Sequence, residues 1–566
     1  MTDLKFQRYV ERFQRGRVDR RKLLRGVAGG AVAIQAAGLT GSHRASAAPA
    51  NAPRGQIDPM TLVIADDLAG QWITLDPGWI YEINAQAGMI LNYEPLYLLP
   101  DSTKPTEFNP LLAAEMPRVS EDGIEVTIPL RPGVKFHSGN EMTADDVVFS
   151  WNRLKNIKFQ ASFLALDYWD NVEAVDPLTI KITLKSPNAA IVPILASTPL
   201  AVSDSKLLKE NGGTDAEDAD QTDTAKDWIN AGNSAGTGPY RLTAWDITGE
   251  IVLEKNSEYW GEPPKLDRII WRNIVDANSE LQAVQAGEAD IAYYLDPDTA
   301  QSVEDDENLQ LLSGPTLAIE YLAMHTQEDP GGPVSNPAVR QAIGHAIDYE
   351  GIINGLMQGA AIQPATIAPE PLLGTVDIQD KKYVQDLQRA QQLFDESGVA
   401  PAEITLTYAA GGTGEGGLDL ETLCSKLQAD IQRIEGLTVT LNPMDAATRL
   451  EEYRAGKLQF TVSPWTPDYA DIHTYAEPFG RTDTAAAKRV GYSNPEVDEM
   501  LDVGIAEADP EKRSAIYQEI LSTIIADAPF LVLYQPIDRK PASRAVQGAT
   551  THSVYMLNLR NASKSA

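Results

Sequence analysis

Apolar residues at every second position and apolar residues at helical spacing take turns along this chain, and that alternation restricts its fold more than any other feature. Thr61–Ala65 reads as a first strand. Glu125–Pro129 and Leu178–Leu184 alternate as further strands, each bounded by Asp, Pro or Gly. Between them Thr143 is placed to cap a helix, with Asp146 three residues on in a variant of the capping box. Val147, Trp151 and Leu154 then share one face. Asn336 is a good N-cap and Pro337 suits the first helical position. Val339, Ala342, Ile343, Ala346 and Ile347 form the stripe of that helix, which should stop near Asp348. Gln385–Ser397 is a helix ended by Gly398. Pro495–Ala506 and Pro510–Ala526 follow, and Phe530–Tyr534 reads as a returning strand. Strands and helices mixed in this way, without an internal repeat, predict a mixed α/β fold.

The chain has 566 residues, 43% hydrophobic and 22% charged, which is globular composition. That length suggests about two to four domain-sized units. Net charge is −33, yet residues 1–47 carry ten Lys/Arg against three Asp/Glu, so the remainder is more acidic still, near −40. Such a surface repels phosphate backbones and anionic lipid, which argues against a nucleic-acid partner, and no segment after the N-terminal one is long and apolar enough to span a bilayer, so direct membrane insertion is not expected. It aids solubility and makes a weak field favouring cationic or amine-bearing solutes. The single cysteine, Cys424, cannot form an internal disulfide and reads as a core residue on a helix around Leu423.

The N-terminus has the three regions of an export signal. Asp19-Arg20-Arg21-Lys22-Leu23-Leu24-Arg25 precedes a mildly apolar stretch, Gly26–Gly41, and Ala45-Ser46-Ala47 offers a small-x-small cleavage site. The paired arginines resemble a twin-arginine signal. The apolar run contains Gln35 and five glycines and is shorter than the roughly 20 residues a membrane span needs. Cleavage near Ala47 is expected, giving a periplasmic or extracellular protein. No cysteine follows that site to take a lipid.

Two stretches imitate other functions. Glu210–Asp227 is an acidic, loop-like run that lacks the glycine and bidentate glutamate of a calcium loop, so a solvated surface loop is expected. Gly412-Thr413-Gly414-Glu415-Gly416-Gly417 contains a Gly-x-Gly-x-x-Gly after a strand at Ile404–Tyr408. Glu415 would repel pyrophosphate, and a flexible strand-to-helix loop fits better. There is no His-Glu-x-x-His, no Gly-x-Ser-x-Gly and no phosphate loop, and six scattered histidines suggest no metal site. No cofactor is expected.

Several segments in succession resemble the family 5 extracellular solute-binding proteins, the dipeptide- and oligopeptide-binding group. The longest begins at Leu112-Ala113, passes through Asp122-Gly123 and Leu130-Arg131-Pro132-Gly133-Val134-Lys135-Phe136-His137-Ser138-Gly139, and ends at Met142–Val147. Others are Leu75-Asp76-Pro77, Tyr93-Glu94-Pro95-Leu96, Gly236-Thr237-Gly238-Pro239-Tyr240, Asn256, Tyr259-Trp260, Val339-Arg340-Gln341-Ala342, Ala346-Ile347-Asp348 and Trp465-Thr466-Pro467-Asp468-Tyr469. Most read as structural. Asp122-Gly123 suits a hairpin turn, Gly133 and Gly139 bracket a strand with Phe136 in the core, and the Gly236–Tyr240 motif suits a crossing where glycine permits unusual dihedrals.

The resemblance implies a two-lobed periplasmic-binding-protein-like fold, type II of cluster C, with an extra subdomain on the first lobe. Lobe I would take residues 48–92, 235–316 and 526–566, the extra subdomain 93–234 and lobe II 317–525. A monomer would capture a di- or oligopeptide by hinge closure and deliver it to the membrane permease of an ABC importer. In peptide-binding members an aspartate in a Trp-x-x-Asp stretch meets the ligand's free amine, and Asp468 stands in that setting. Trp465 and Tyr469 would wall the site. Trp79 and Tyr81 lie where the first lobe approaches ligand, and His325 is a weaker candidate than a structural histidine would be. The same fold binding an oligosaccharide, an opine or a nickel chelate stays open. A secreted hydrolase with paired carboxylates is the alternative of another class, although no pair is singled out; a non-enzymatic role is expected.

Overall fold

The first strand, β1 (Thr61–Asp66), is buried along its whole length, as expected where both faces of a strand are covered. It comes from a computed structural model that describes residues 58–565. The expected signal, residues 1–47, and its cleavage site near Ala47 lie outside the described residues. A separate small sheet of four strands follows β1: β2 (Glu125–Pro129), β3 (Trp169–Asp176), β4 (Thr179–Leu184) and the short Arg118–Val119, which pairs with β2. The chain then adds β5 (Tyr240–Trp245), β6 (Glu250–Lys255), β7 (Arg268–Asn273), β8 (Ile291–Ala292) and β9 (Leu309–Pro315). After these come β10 (Ile319–Met324), β11 (Ala361–Ile362), β12 (Ala402–Ala409), β13 (Leu437–Met444), β14 (Phe460–Trp465) and β15 (Phe530–Ser543). One 12-stranded sheet runs β13-β12-β14-β10-β15-β8-β1-β7-β6-β5, with β9 and β11 also paired to β15.

This sheet has two halves with separate cores. Leu62, Ile64, Trp72 and Trp271 pack on one face of the first half, Val63, Ala65 and Leu281 on the other. The second half buries Leu322, Val439 and Val462 on one face and Tyr321, Phe479 and Ile520 on the other. Two segments cross between them. One is the link from β9 to β10. The other is β15, whose start pairs with β10 and whose end pairs with β9. Gln535 Nε2 donates to the Thr316 carbonyl at 2.8 Å and Thr316 Oγ1 donates to the Pro536 carbonyl at 2.8 Å, tying the crossings to each other. The expected returning strand, Phe530–Tyr534, is thus the first part of a longer strand that changes partner midway.

The small sheet packs against helix Ala144–Ile157 around Val126, Ile128, Val147 and Trp151. Asp146 accepts from the Thr143 backbone N–H at 2.8 Å, closing the expected cap. Helix Pro337–Ala346 starts at Asn336, whose side chain accepts from Ala338 N–H at 2.9 Å. Many of the sequence motifs converge on one buried group. The Glu94 carboxylate accepts from Thr237 Oγ1, Tyr259 Oη, Trp260 Nε1 and Arg560 Nη2 at 2.7–3.0 Å. A fully buried carboxylate is tolerated when it is surrounded by donors in this way.

Three local expectations are corrected. Gly133–Gly139 is a pair of turns around an isolated Lys135–Glu141 bridge, not a strand, although Phe136 is buried as expected. Gly236 and Gly238 serve close approach rather than unusual dihedrals: a Cβ on either would lie 1.9 or 2.2 Å from the Asn92 or Leu91 carbonyl oxygen. The acidic run 210–227 is not simply a solvated loop. It contains helices Ala219–Thr222 and Ala225–Ile229, and Asp223 is buried against Arg153.

Candidate ligand-binding site

β14 ends at Trp465, and Pro467, lacking an N–H, cannot extend its ladder. The next helix, His473–Gly480, needs an acceptor at its start. Asp471 supplies it, accepting from His473 N–H at 2.8 Å while Arg513 holds both of its oxygens at 2.7 and 2.8 Å. Asp468 is therefore not the helix cap. Its Oδ1 accepts instead from the Tyr81 hydroxyl at 3.0 Å, a contact that joins the two halves of the molecule. Burial pushes the Asp468 carboxyl up to about 6, against the pull of the Tyr81 hydrogen bond. Burial and the neighbouring Asp468 charge push the Tyr81 phenol up, so it stays a donor at neutral pH.

The other expected site residues are placed differently. Tyr469 is 2% exposed and packs in the small-sheet core, its hydroxyl 3.0 Å from that of Tyr168. It belongs to a seam between elements rather than to an open wall. Trp465 packs edge-on to Phe479 at 5.0 Å, and its indole N–H has no hydrogen-bond partner among the described residues. Trp79 lies tilted against Phe159 at 5.3 Å beneath Lys226 Nζ at 4.3 Å, away from the cavity lining. His325 follows the end of β10 where Met324 faces Phe460, the opposite end from Ile319 and Trp465. Its Nδ1 accepts from Gln327 N–H at 3.2 Å, and burial holds its pKa below the usual value.

Thr466 and Pro467, immediately before Asp468, line a cavity of about 600 Å³ between the halves, within the range of small-molecule sites. Asp67, Asn84, Tyr293 and Tyr294 line it from the first half, Thr413–Gly417 from the second, and Asp538–Lys540 of β15 at the crossing. Behind the first wall, Asp66 accepts from Trp72 Nε1 at 2.8 Å and Asn84 Nδ2 at 3.1 Å; burial pushes it up to about 7. Glu280 accepts from the Tyr293 and Tyr294 N–H groups at 2.8 and 2.9 Å and is pushed up to about 9, again by burial. Lys540 is 1% exposed; its Nζ donates to the Tyr293 carbonyl at 3.0 Å and lies 3.4 Å from Asp538.

The glycine-rich segment sits where expected, between β12 and helix Leu420–Ile431, but it is fastened. The Glu415 N–H donates to Glu320 Oε2 at 2.9 Å and Tyr534 Oη to the Glu415 carbonyl at 3.0 Å. Sequence reasoning missed Glu320 and Lys540 and weighed Glu415 only against pyrophosphate. A lone acid in the apolar Ile319–Met324 run and a lone lysine in the long β15 run were the available signals. Cys424 is fully buried, and burial raises its thiol pKa. Among the described residues no cluster of His, Cys, Asp or Glu is arranged to hold a metal ion.

Residues 107–487 match the model of the bacterial extracellular solute-binding proteins, family 5. The chain belongs to this family. Its fold is two-lobed, and the family consists of solute-binding proteins that work with ABC permeases. This solute-binding protein is 31% identical over 432 residues to the glutathione-binding protein of Pectobacterium atrosepticum, covering 73% of this chain and 78% of that one. It shares its fold with the periplasmic binding protein DppA of Helicobacter pylori, solved with the peptide STSA (TM-score 0.70, 23% identity, covering 89% of this chain and 98% of that one). It shares it also with the dipeptide-binding protein of Pseudoalteromonas sp. SM9913, solved with Met-Leu (TM-score 0.72, 21% identity, 89% and 100% covered). Among the described residues no helix is long and apolar enough to cross a membrane.

Proposed function

We propose that this protein is the extracytoplasmic capture subunit of an ABC importer, closing its lobes on a peptide-like ligand whose free ammonium is received by Asp468. One observation carries the reading: Asp471 and not Asp468 accepts from the first N–H of the helix, and Asp468, next in the chain after the cavity-lining Thr466 and Pro467, accepts only from the Tyr81 phenol among the described residues. An ionised carboxylate has about four lone-pair sites, so an ammonium N–H can join or replace that phenol. Glutathione, STSA and Met-Leu, named with the related proteins, all carry a free ammonium. In this reading lobe I takes residues 48–92, 235–316 and the part of β15 that follows Tyr534, lobe II takes 317–525 together with 530–534, and closure bends the two crossings. The protein acts as an exported monomer, released by cleavage near Ala47 and not inserted in the membrane.

The test is Asp468→Asn, with trialanine and N-acetyl-trialanine titrated by calorimetry. The substitution keeps the shape and removes the charge. Trialanine affinity should fall about tenfold or more, and N-acetyl-trialanine should lose much less. Equal losses for the two peptides would remove Asp468 from the amine role.

A further inference from the structure

The cavity has more carboxylates than cations. Asp67, Asp296, Glu415 and Asp538 line it against Arg539 and Lys540. Lys540 is already engaged by Asp538 and the Tyr293 carbonyl. Arg539 feels the charge of Glu304. Asp296 accepts from Asn278 at 3.1 Å. On the second-lobe wall the imbalance is sharpest. The Glu415 carboxylate has no hydrogen-bond or ionic partner among the described residues.

Directly behind it stands a second acid. Glu320 is completely buried, its Oε2 against the Gly414–Glu415 peptide and its Oε1 without a hydrogen-bond partner among the described residues. A Cβ at Gly414 would lie 2.7 Å from Glu320 Oε2, and Gly416 and Gly417 adopt φ of +74° and +85°. Only glycines let the loop lie this closely over Glu320 and turn Glu415 into the cavity wall. Arg449, whose charge Glu320 feels, donates to the Val462 carbonyl at 3.0 Å and makes no ion pair with either acid. Two acids at the wall of a cavity with no ion-pair partner among the described residues leave room for a cation from outside.

We propose that Glu415, seated over Glu320, receives an ammonium or guanidinium side chain of the captured ligand, so that the preferred ligands are peptides containing lysine or arginine. This rests on the peptide reading above and adds a second charge contact to the one at Asp468. The net charge of −33 draws such ligands toward the protein. Burial holds Glu415 near 7 and Glu320 near 8 in the empty site. A bound cation favours their ionised forms and therefore releases protons.

The test titrates the full-length protein with Ala-Lys-Ala, Ala-Arg-Ala, Ala-norleucine-Ala and glutathione at neutral pH. Norleucine keeps the aliphatic stem and removes the charge. The two basic peptides should bind about tenfold or more tighter than the norleucine peptide, and glutathione, with its two carboxylates, more weakly than all three. Titrations in two buffers of different ionisation enthalpy should show more protons released by the lysine peptide than by the norleucine peptide. Glu415→Gln should bring the lysine-to-norleucine ratio to about one. Equal affinities in the native protein, equal proton release, or a ratio that survives Glu415→Gln would overturn the inference while norleucine-peptide binding still upholds the peptide reading. Failure of every peptide to bind would overturn both.

Discussion

Burial and a single phenol act in opposite directions on Asp468. Burial favours the neutral acid and the Tyr81 hydroxyl favours the carboxylate, and burial prevails, leaving the carboxyl near 6. An ammonium ligand binds the ionised form, so the complex has a lower pKa than the empty site. Trialanine affinity should be level above about pH 6 and fall by up to about tenfold per unit below it, until the pKa of the complex is reached. Asp468→Asn should flatten that limb. Tyr81→Phe removes the donor that lowers the pKa, so the fall should begin at a higher pH. Calorimetry across about pH 5 to 8 measures both; a limb unmoved by Tyr81→Phe would deny the phenol its influence. Trialanine carries no side-chain cation, so Glu415 does not complicate this profile.

At the scale of elements, the first-lobe loop bearing Trp79 and Tyr81 is anchored by a buried ion triad. Arg153, on helix Ala144–Ile157, meets both oxygens of Asp76 at 2.6 and 2.7 Å and both of Asp223 at 2.7 and 2.8 Å. Its side chain is 2% exposed and theirs are fully buried. Removing the guanidinium strands two carboxylates, which costs about 3–5 kcal/mol for a buried pair. Arg153→Met should lose about that much in urea unfolding, and adding Asp76→Leu and Asp223→Leu should recover a large part of it. A triple variant as unstable as the single one would show that the charges fix the fold and not merely each other. This triad also marks where sequence reasoning ends. Helix starts at Thr143 and Asn336 and the strand Glu125–Pro129 were legible because caps and alternation are local signals. The Arg153–Asp223 contact joins residues 70 positions apart, and an acidic run reads as solvated until a buried arginine is placed beside it. Asp468 was singled out through a motif, which carries no information on the packing that takes Tyr469 into the small-sheet core. Glu320 and Glu415, 95 positions apart, are united only by the pairing of β10 with β14 and of β14 with β12.

At the scale of the whole molecule, the two sides of the cleft share an excess of buried acid, and this sets how stability varies with pH. Asp66 and Glu415 titrate near 7, Glu320 near 8 and Glu280 near 9, all raised by burial. In the unfolded chain these groups titrate near 4. A carboxyl with a raised folded pKa contributes stability that is complete below the unfolded value and lost as pH rises through the folded value. His137, His473 and His552 are lowered by burial to about 4, so their opposing effect is finished above about pH 6.5. From about pH 6.5 to 9 only the acids remain, and the melting temperature of the empty protein should decline by several degrees across that interval. Glu280→Gln retains an acceptor for the Tyr293 and Tyr294 N–H groups and places no charge in the lobe. It should melt above the native protein at about pH 9, with a smaller difference near pH 6. A saturating lysine peptide, which stabilises the ionised form of Glu415, should also make the decline shallower than a norleucine peptide does. Thermal scans at these pH values decide it: a melting temperature that rises across the interval would mean that the cleft acids are ionised in the empty protein and already matched by charges of the protein's own.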